Sequence, residues 1–352
     1  MSQINVGVVA YGFSAKVFHL PFLDACPGYN VKAILQRSGS ASAQKYPDAA
    51  IVRNIQELIS ISDIQLIVIT SINSTHYEYA KAALLAGKHV VVEKPFTETS
   101  AQATELAALA KSAGLVLSVY QNRRYDGDFL TVKTLLASGM LGQLLEFHSR
   151  FDRFRLFKKH NSWKEDPSEP CSGILYDLGP HVIDQAVTLF GKPSSVQASV
   201  QKQRPLQDSP DDAFTVTLKY DHLNLTAVLS ASMITRIKPP RFSLFGSSGS
   251  FVKYGLDPQE STLIAGELSV SNPQFGLDSP DNYGSIDTTY KDIHISGKIE
   301  TVPGFYLGYY QNIRDAINKV QDLYVTPDQA VISMQIIEAA IESNKIKSTV
   351  FL

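Results

Sequence analysis

In the first third of the chain, short β-branched runs alternate with segments of helical character, and this alternation limits the fold more than any other feature. The runs at 4–10, 31–35, 66–70, 89–93 and 115–119 are almost continuously apolar, as strands are when both faces of a sheet are covered. Between them lie helix-like stretches such as 75–86 and 99–112. Thr75 with Glu78, and Thr99 with Gln102, have the spacing of a capping box. Apolar strands alternating with helices predict a parallel sheet with helices on both sides. This part of the chain reads as α/β.

The pattern changes after about Tyr120. A helical stretch at 129–137 ends at Gly139, and a strand-like run follows at 144–151. An irregular, aromatic and charged stretch then leads to a helix candidate at 174–190, closed by Gly191. Runs at 196–201, 214–220, 223–231 and 241–245 read as strands of an antiparallel meander. The region 257–298, rich in Gly, Ser, Asp and Asn, reads as a loop with short strands. Two helices, 309–320 and 327–343, close the chain, the second with Thr326, Pro327 and Gln329 as its start signal. The expected architecture is a doubly wound Rossmann domain over 1–121, then an α+β domain over 122–352 with a large, mainly antiparallel open sheet. The last helices are free to pack back on the first domain. A length of 352 residues suits two cores better than one.

Net charge excludes some partners. At −2 the chain is not built around nucleic acid or an acidic membrane surface. Its apolar runs are too short to span a bilayer, and no basic region followed by an apolar stretch opens it. Cys26 and Cys171 are too few for a disulfide framework or zinc ribbon. A cytoplasmic location is expected.

The first strand runs into Ala10-Tyr11-Gly12-Phe13-Ser14-Ala15. A dinucleotide fingerprint, GxGxxG/A, belongs at such a turn, where glycines let the backbone approach a pyrophosphate at a helix N-terminus. Ala10 replaces the first glycine, Gly12 keeps the close-approach position and Ala15 the helix-packing one. The second strand ends at Gln36-Arg37-Ser38, with no acidic residue to take the 2′-hydroxyl of NAD. Arg37 and Ser38 suit the 2′-phosphate of NADP instead, so NADP is favoured and NAD possible. Alternatively, Arg37 is a solvated surface arginine.

Two further segments carry chemistry. Glu93-Lys94-Pro95 ends the fourth strand, and ligands of open α/β sheets lie outside the carboxyl ends of strands. Asp177, His181 and Asp184 lie four and three residues apart within Gly173–Asp184. On one helix face such groups suit proton transfer. Pro180 disfavours helix at Gly179 and can leave Asp177 on the preceding turn. A structural cap with a core histidine is an alternative, and a metal site a weaker one, since one imidazole and two carboxylates make a loose pattern. No metal is expected.

Together these pieces resemble the glucose–fructose oxidoreductase / inositol dehydrogenase (Gfo/Idh/MocA) family over essentially the whole chain. The ordered motifs are 10–15, Thr70-Ser71-Ile72-Asn73-Ser74-Thr75-His76, Glu93-Lys94-Pro95, Gln121-Asn122-Arg123-Arg124-Tyr125-Asp126 and Gly173…Asp177…His181…Asp184. Phe151-Asp152-Arg153-Phe154-Arg155 and the run 254–260 are closer to the branch of NADP-linked scyllo-inositol dehydrogenases. The resemblance implies hydride transfer between nicotinamide and a secondary alcohol or ketone of a sugar or cyclitol. It implies Lys94 near the reacting carbon with Asp177 and His181 beside it. In the mechanism it implies, His181 would take the hydroxyl proton, Lys94 would steady alkoxide charge and Asp177 would hold the imidazole or contact a neighbouring hydroxyl. Cofactor contacts are expected from Gly12, Phe13, Ser14, Arg37, Ser38, Thr70, Asn73, His76, Glu93, Lys94, Gln121 and Arg123.

Tyr125, and Arg155 and Trp163 from a stretch that also holds Arg153 and His160, offer donors and an apolar wall for a polyol. The aromatic run 305–310 offers phenols, though such a cluster is more often core. A large open sheet in this family is often used for assembly, so a homodimer or homotetramer is expected. Two rivals stand beside this reading: a glycosidase of the same family type that uses NAD transiently, and a non-enzymatic NADP sensor, which would not need the Lys94, Asp177 and His181 set.

Overall fold

The computed structural model describes residues 3–159 and 163–352. Its strands and helices begin with β1 (Ile4–Val9), α1 (Leu20–Ala25), β2 (Tyr29–Leu35), β3 (Ala50–Val52), α2 (Ile55–Ser60), β4 (Leu66–Ile69) and α3 (His76–Leu85). Next come β5 (His89–Val92), α4 (Ser100–Ala113), β6 (Leu117–Val119), α5 (Gly127–Ala137), β7 (Leu144–Arg150), α6 (Ile174–Asp177) and α7 (Gly179–Phe190). Five strands follow: β8 (Ser195–Gln201), β9 (Ala213–Tyr220), β10 (Leu225–Ser232), β11 (Phe242–Gly246) and β12 (Gly249–Lys253). The chain ends with α8 (Gln259–Ala265), β13 (Gly284–Tyr290), β14 (Ile293–Ile299), α9 (Leu307–Ile317), α10 (Pro327–Ile346) and β15 (Val350–Phe351).

Two compact units result. The first comprises Met1–Asn122, Gln259–Phe275 and Phe305–Val331; the second comprises Arg123–Pro258, Gly276–Gly304 and Ile332–Leu352. The first holds a wholly parallel sheet in the order β3-β2-β1-β4-β5-β6. All four residues of β4 are buried, as are Val90, Val91 and Val92 of β5, which explains their uninterrupted apolar character. Strand addition reverses direction between β1 and β4, so the crevice at their carboxyl ends is the switch point where ligands bind in such sheets.

Helix starts follow local chemistry. Thr99 and Gln102 form the expected reciprocal box at α4, and Thr326 and Gln329 do the same before α10. Thr75 does not cap α3. Its hydroxyl bonds the Ile72 carbonyl at 2.8 Å and the Ser71 hydroxyl at 2.6 Å, because a 3-10 turn at Asn73–Thr75 precedes the helix. Helix α9 belongs to the core of the first unit. Tyr306, Tyr309 and Tyr310 are fully buried, Tyr29 donates to the Tyr310 carbonyl at 2.7 Å, and Tyr309 bonds Ser118 at 3.0 Å. The three tyrosines of the aromatic run are core, whereas Phe305 is exposed.

The second unit carries a nine-stranded sheet, β14-β13-β12-β11-β7-β10-β9-β8-β15. Every pairing is antiparallel except β7 with β10, which is parallel. Helix α7 covers one face, where Phe190 meets the rings of Phe147 at 5.3 Å and Tyr220 at 5.5 Å. The helix expected over 174–190 is broken at Leu178 into α6 and α7, with Pro180 in the first turn of α7, where a missing N–H costs nothing. The region 257–298 is more regular than its composition suggests. Strands β13 and β14 are seven residues each, joined by Lys291 and Asp292, both at positive φ (50° and 62°). A two-residue turn of that hand normally announces itself by Asn-Gly, and here it does not. Among the described residues, no helix is long and apolar enough to cross a membrane.

Candidate active site

The turn after β1 is shaped for close approach. Ala10 takes the left-handed conformation (φ 73°), so it adopts the backbone a glycine would, at a cost of about 1–2 kcal/mol. Its N–H donates to the Leu35 carbonyl at 3.1 Å, which ties the turn to β2. A Cβ built on Gly12 meets no atom within 4 Å. Nothing inside the chain therefore demands glycine there, whereas a phosphate lying against the backbone would. Phe13 is 61% exposed, with its ring edge on Phe18, and Ala15 is buried where the helical turn Ala15–His19 begins.

Three donors of the first unit converge on one carboxylate. Glu93, at the end of β5, accepts from the Ser14 hydroxyl, from His19 Nε2 at 3.0 Å and from the Lys94 backbone N–H at 3.1 Å. Burial pushes the Glu93 pKa up, but the His19 and Ser14 hydrogen bonds and the Lys94 charge outweigh it and carry it down to about 2. Glu93 is thus a fixed anion beside Lys94, which is half-buried at the start of a cis peptide to Pro95. Thr70 donates to the Val9 carbonyl at 2.7 Å across the switch point, and Asn73 is buried just beyond it.

The structure corrects the role expected of His76. Its ring is buried, with Nδ1 2.8 Å from the Pro95 carbonyl and Nε2 3.2 Å from the Ser71 carbonyl. Both nitrogens face main chain rather than a ribose, and burial pushes the pKa down. His76 braces the loops after β4 and β5. Arg37 and Ser38 are exposed after β2, on a loop held by Arg53, whose guanidinium bonds the carbonyls of Gln36 (2.8 Å) and Gly39 (2.6 Å).

In the second unit, Asp177 ends α6 and accepts from Lys164 Nζ at 2.5 Å, with the Arg153 guanidinium 3.9 Å away. His181 lies in the first turn of α7, nearly buried, its ring stacked 6.1 Å from Phe151. Phe151 is the hub: the guanidinium carbons of Arg123, Arg153 and Arg241 stand 4.5, 5.4 and 5.6 Å from its ring, within reach of its π-face. Burial lowers the Arg153 pKa; Asp177 opposes this, and Arg123 and Arg155 add to it. Phe151 and Arg153 stand in the sequence only as part of a family-like run and Lys164 carries no sequence signal, because each reaches its partner through space.

Several expected site residues are already engaged. Arg123, buried, pairs with Asp126 at 3.0 Å. Arg155 pairs with Glu165, which also receives Arg204 at 3.3 Å, so a direct polyol contact would compete with an ion network. Gln121 is buried and Tyr125 half-buried. Trp163 is half-buried, 5.7 Å from Lys164 Nζ, while His160 lies outside the described residues. Asp184 is bound on both oxygens by the fully buried Arg124, at 2.7 and 2.6 Å. That bidentate clamp removes it from metal or proton-transfer chemistry.

A doubly wound sheet with a glycine turn at its switch point defines a dinucleotide-binding protein. Residues 4–121 match the NAD-binding Rossmann fold of an oxidoreductase family, and residues 133–352 match its C-terminal alpha/beta domain. The chain belongs to the Gfo/Idh/MocA oxidoreductase family. It is 43% identical to the uncharacterized oxidoreductase YdgJ of Escherichia coli over 99% of both chains. It is 38% identical to scyllo-inositol 2-dehydrogenase (NADP(+)) IolW of Bacillus subtilis, over 100% of this chain and 97% of that one. An oxidoreductase from Bacillus cereus, of solved structure, superposes with a TM-score of 0.91 at 35% identity over 99% of both chains.

Proposed function

We propose that this chain is an NADP-linked dehydrogenase that interconverts a secondary alcohol and ketone of a sugar or cyclitol, scyllo-inositol being the first candidate. The observation that carries the reading is the Glu93–Lys94 turn: a lysine at the carboxyl end of β5, beside a carboxylate held ionised by three donors. Full-length similarity to an NADP-linked inositol dehydrogenase supports the substrate class. Arg37 and Ser38 after β2 support NADP over NAD.

The bound nicotinamide supplies hydride chemistry. In this reading His181 takes the hydroxyl proton, and the Lys94 ammonium stabilises charge developing on the oxygen. Asp177, itself held by Lys164, orients the imidazole or a neighbouring hydroxyl. Phe151, stacked on His181, keeps water from one face of the ring. The setting is a reducing compartment, with Cys26 and Cys171 unbridged. Self-association into a dimer or tetramer uses the sheet of the second unit, which exposes Phe245 on β11.

The test is titration of purified protein with NADPH and NADH, followed by absorbance of reduced cofactor with a panel of inositols, aldoses and their keto forms. Turnover of one cyclitol with NADP supports the reading. Tight binding without turnover on any polyol points to a sensor, and no binding of either cofactor refutes it. A Lys94→Ala variant is expected to bind NADPH while losing at least about 10²-fold in turnover.

A further inference from the structure

We propose that His19, backed by Tyr310, is a positioning residue that locks the Glu93 carboxylate between the cofactor turn and the lysine turn. The inference rests on the oxidoreductase reading of that same site. His19 is fully buried, its ring 4.1 Å from that of Tyr120. Its Nδ1 lies 2.6 Å from the Tyr310 hydroxyl and its Nε2 3.0 Å from Glu93 Oε1. One tautomer satisfies both: the phenol donates to Nδ1, and Nε2–H donates to the carboxylate. Ser14 donates to the same carboxylate oxygen, and the Lys94 N–H donates to the other. Tyr310 is anchored in turn, since Tyr29 donates to its carbonyl. A relay thus runs from α9 to the two loops that carry cofactor and lysine.

A core histidine satisfied for its own sake would end on a neutral group. This one ends on a largely buried carboxylate, 13% exposed, which is costly to keep charged unless donors surround it. The groups facing Glu93 are Ser14 and His19 from the turn after β1, Lys94 beside it, His76 of α3 and Tyr310 of α9. Lys94 and the His19 and Ser14 donors favour the anion, and burial opposes it. Without His19, burial gains and Glu93 takes up a proton at a higher pH. A protonated Glu93 would donate rather than accept, turning the Ser14 hydroxyl over and weakening the bond that fixes the Lys94 backbone.

The test measures NADPH affinity, by cofactor fluorescence, across about pH 5 to 9, and steady-state kinetics on any polyol that is turned over. The variants are His19→Leu, His19→Gln, Tyr310→Phe and the double variant His19→Leu/Glu93→Gln. In His19→Leu the ratio of variant to wild-type dissociation constant is expected to rise toward acid. Its kcat should fall by about 10- to 100-fold, as small misplacements at a reacting centre do, with the larger share in kcat rather than KM. The Gln variant, which keeps an N–H for the carboxylate, should recover most of both, and the double variant should lose the pH dependence. Tyr310→Phe should shift the ratio the same way by less, and it carries the test if His19→Leu does not fold. A ratio that stays flat with pH in both His19→Leu and Tyr310→Phe overturns the proposal. If no polyol is turned over, the binding ratio still decides it, so its failure is distinct from failure of the dehydrogenase reading.

Discussion

Replacing Arg124 by methionine is expected to be among the most damaging single changes in the second unit. Arg124 is fully buried and Asp184 nearly so, and the pair is bidentate at 2.7 and 2.6 Å. Methionine keeps most of the volume, so the cavity contribution is small and the main effect is a carboxylate stranded away from water. Removing one partner of such a pair costs about 3–5 kcal/mol. Burial already pushes the Asp184 pKa up, against the pull of Arg124; without the guanidinium it rises further. A carboxylate whose folded pKa lies above its unfolded value of about 3.9 weakens the fold progressively as pH rises between the two values. The variant should therefore lose most at about pH 8 and markedly less near pH 5. Urea unfolding followed by fluorescence of Trp163, the only tryptophan and a residue of the second unit, reads both; the midpoint should fall by about 1–2 M at the higher pH. Adding Asp184→Asn should restore much of the loss. A deficit under about 1 kcal/mol, or one equal at both pH values, would refute the assignment of Asp184 as a buried anion dependent on Arg124.

Other substitutions separate fold from function. Gly127→Ala places a Cβ 2.3 Å from the Val302 carbonyl oxygen and 3.0 Å from the Gly304 nitrogen, so thermal unfolding should show a loss of about 1–3 kcal/mol or more. Gly12→Ala meets nothing within 4 Å; its melting temperature should match wild type while NADPH affinity drops at least about tenfold as the methyl takes the space of the phosphate. Arg37→Ala should weaken NADPH by about 10- to 100-fold, the worth of a charge-assisted contact, and leave NADH nearly unchanged; equal losses for both would show a role unrelated to the 2′-phosphate. Asp128, buried 3.6 Å from Arg241, has its pKa pushed up to about 6 by burial, with Arg241 opposing. It therefore stabilises the fold less at pH 7 than at pH 4, and Asp128→Asn should flatten that dependence in urea titrations; an unchanged dependence would count against it.

What the sequence discloses is what local patterning encodes. The apolar runs of β1, β4 and β5, the turn at Gly12 and the boxes at Thr99 and Thr326 are legible because each is settled within a few residues. Strands β13 and β14 are hidden because the inward positions of β13, Gly284, Ile286 and Thr288, are mostly small or polar. Gly284 leaves space for Phe251, and Thr288 caps the Met140 carbonyl at 2.6 Å. The candidate site divides in the same way. Lys94 and His181 stand out by motif, whereas the partners that hold their surroundings arrive from afar: Tyr310 reaches His19 across 291 positions and Asp184 reaches Arg124 across 60. No spacing rule joins such pairs. His76 shows the converse, a motif histidine whose ring is committed to the Pro95 and Ser71 carbonyls.

The first unit draws its last segment from residues 305–331, and this orders events on the ribosome. The six strands of the parallel sheet are all made by Val119, yet Tyr309 and Tyr310 are synthesised some 190 residues later; at roughly 5–20 residues per second that is a wait of about 10–40 s. Until then Tyr120, Tyr29 and His19 lack the rings they pack against, and a hydrophobic edge stays open on a nascent sheet. A fragment ending near residue 122 should accordingly be aggregation-prone in isolation, and a chaperone that shields nascent chains has its natural client interval between those two points of synthesis.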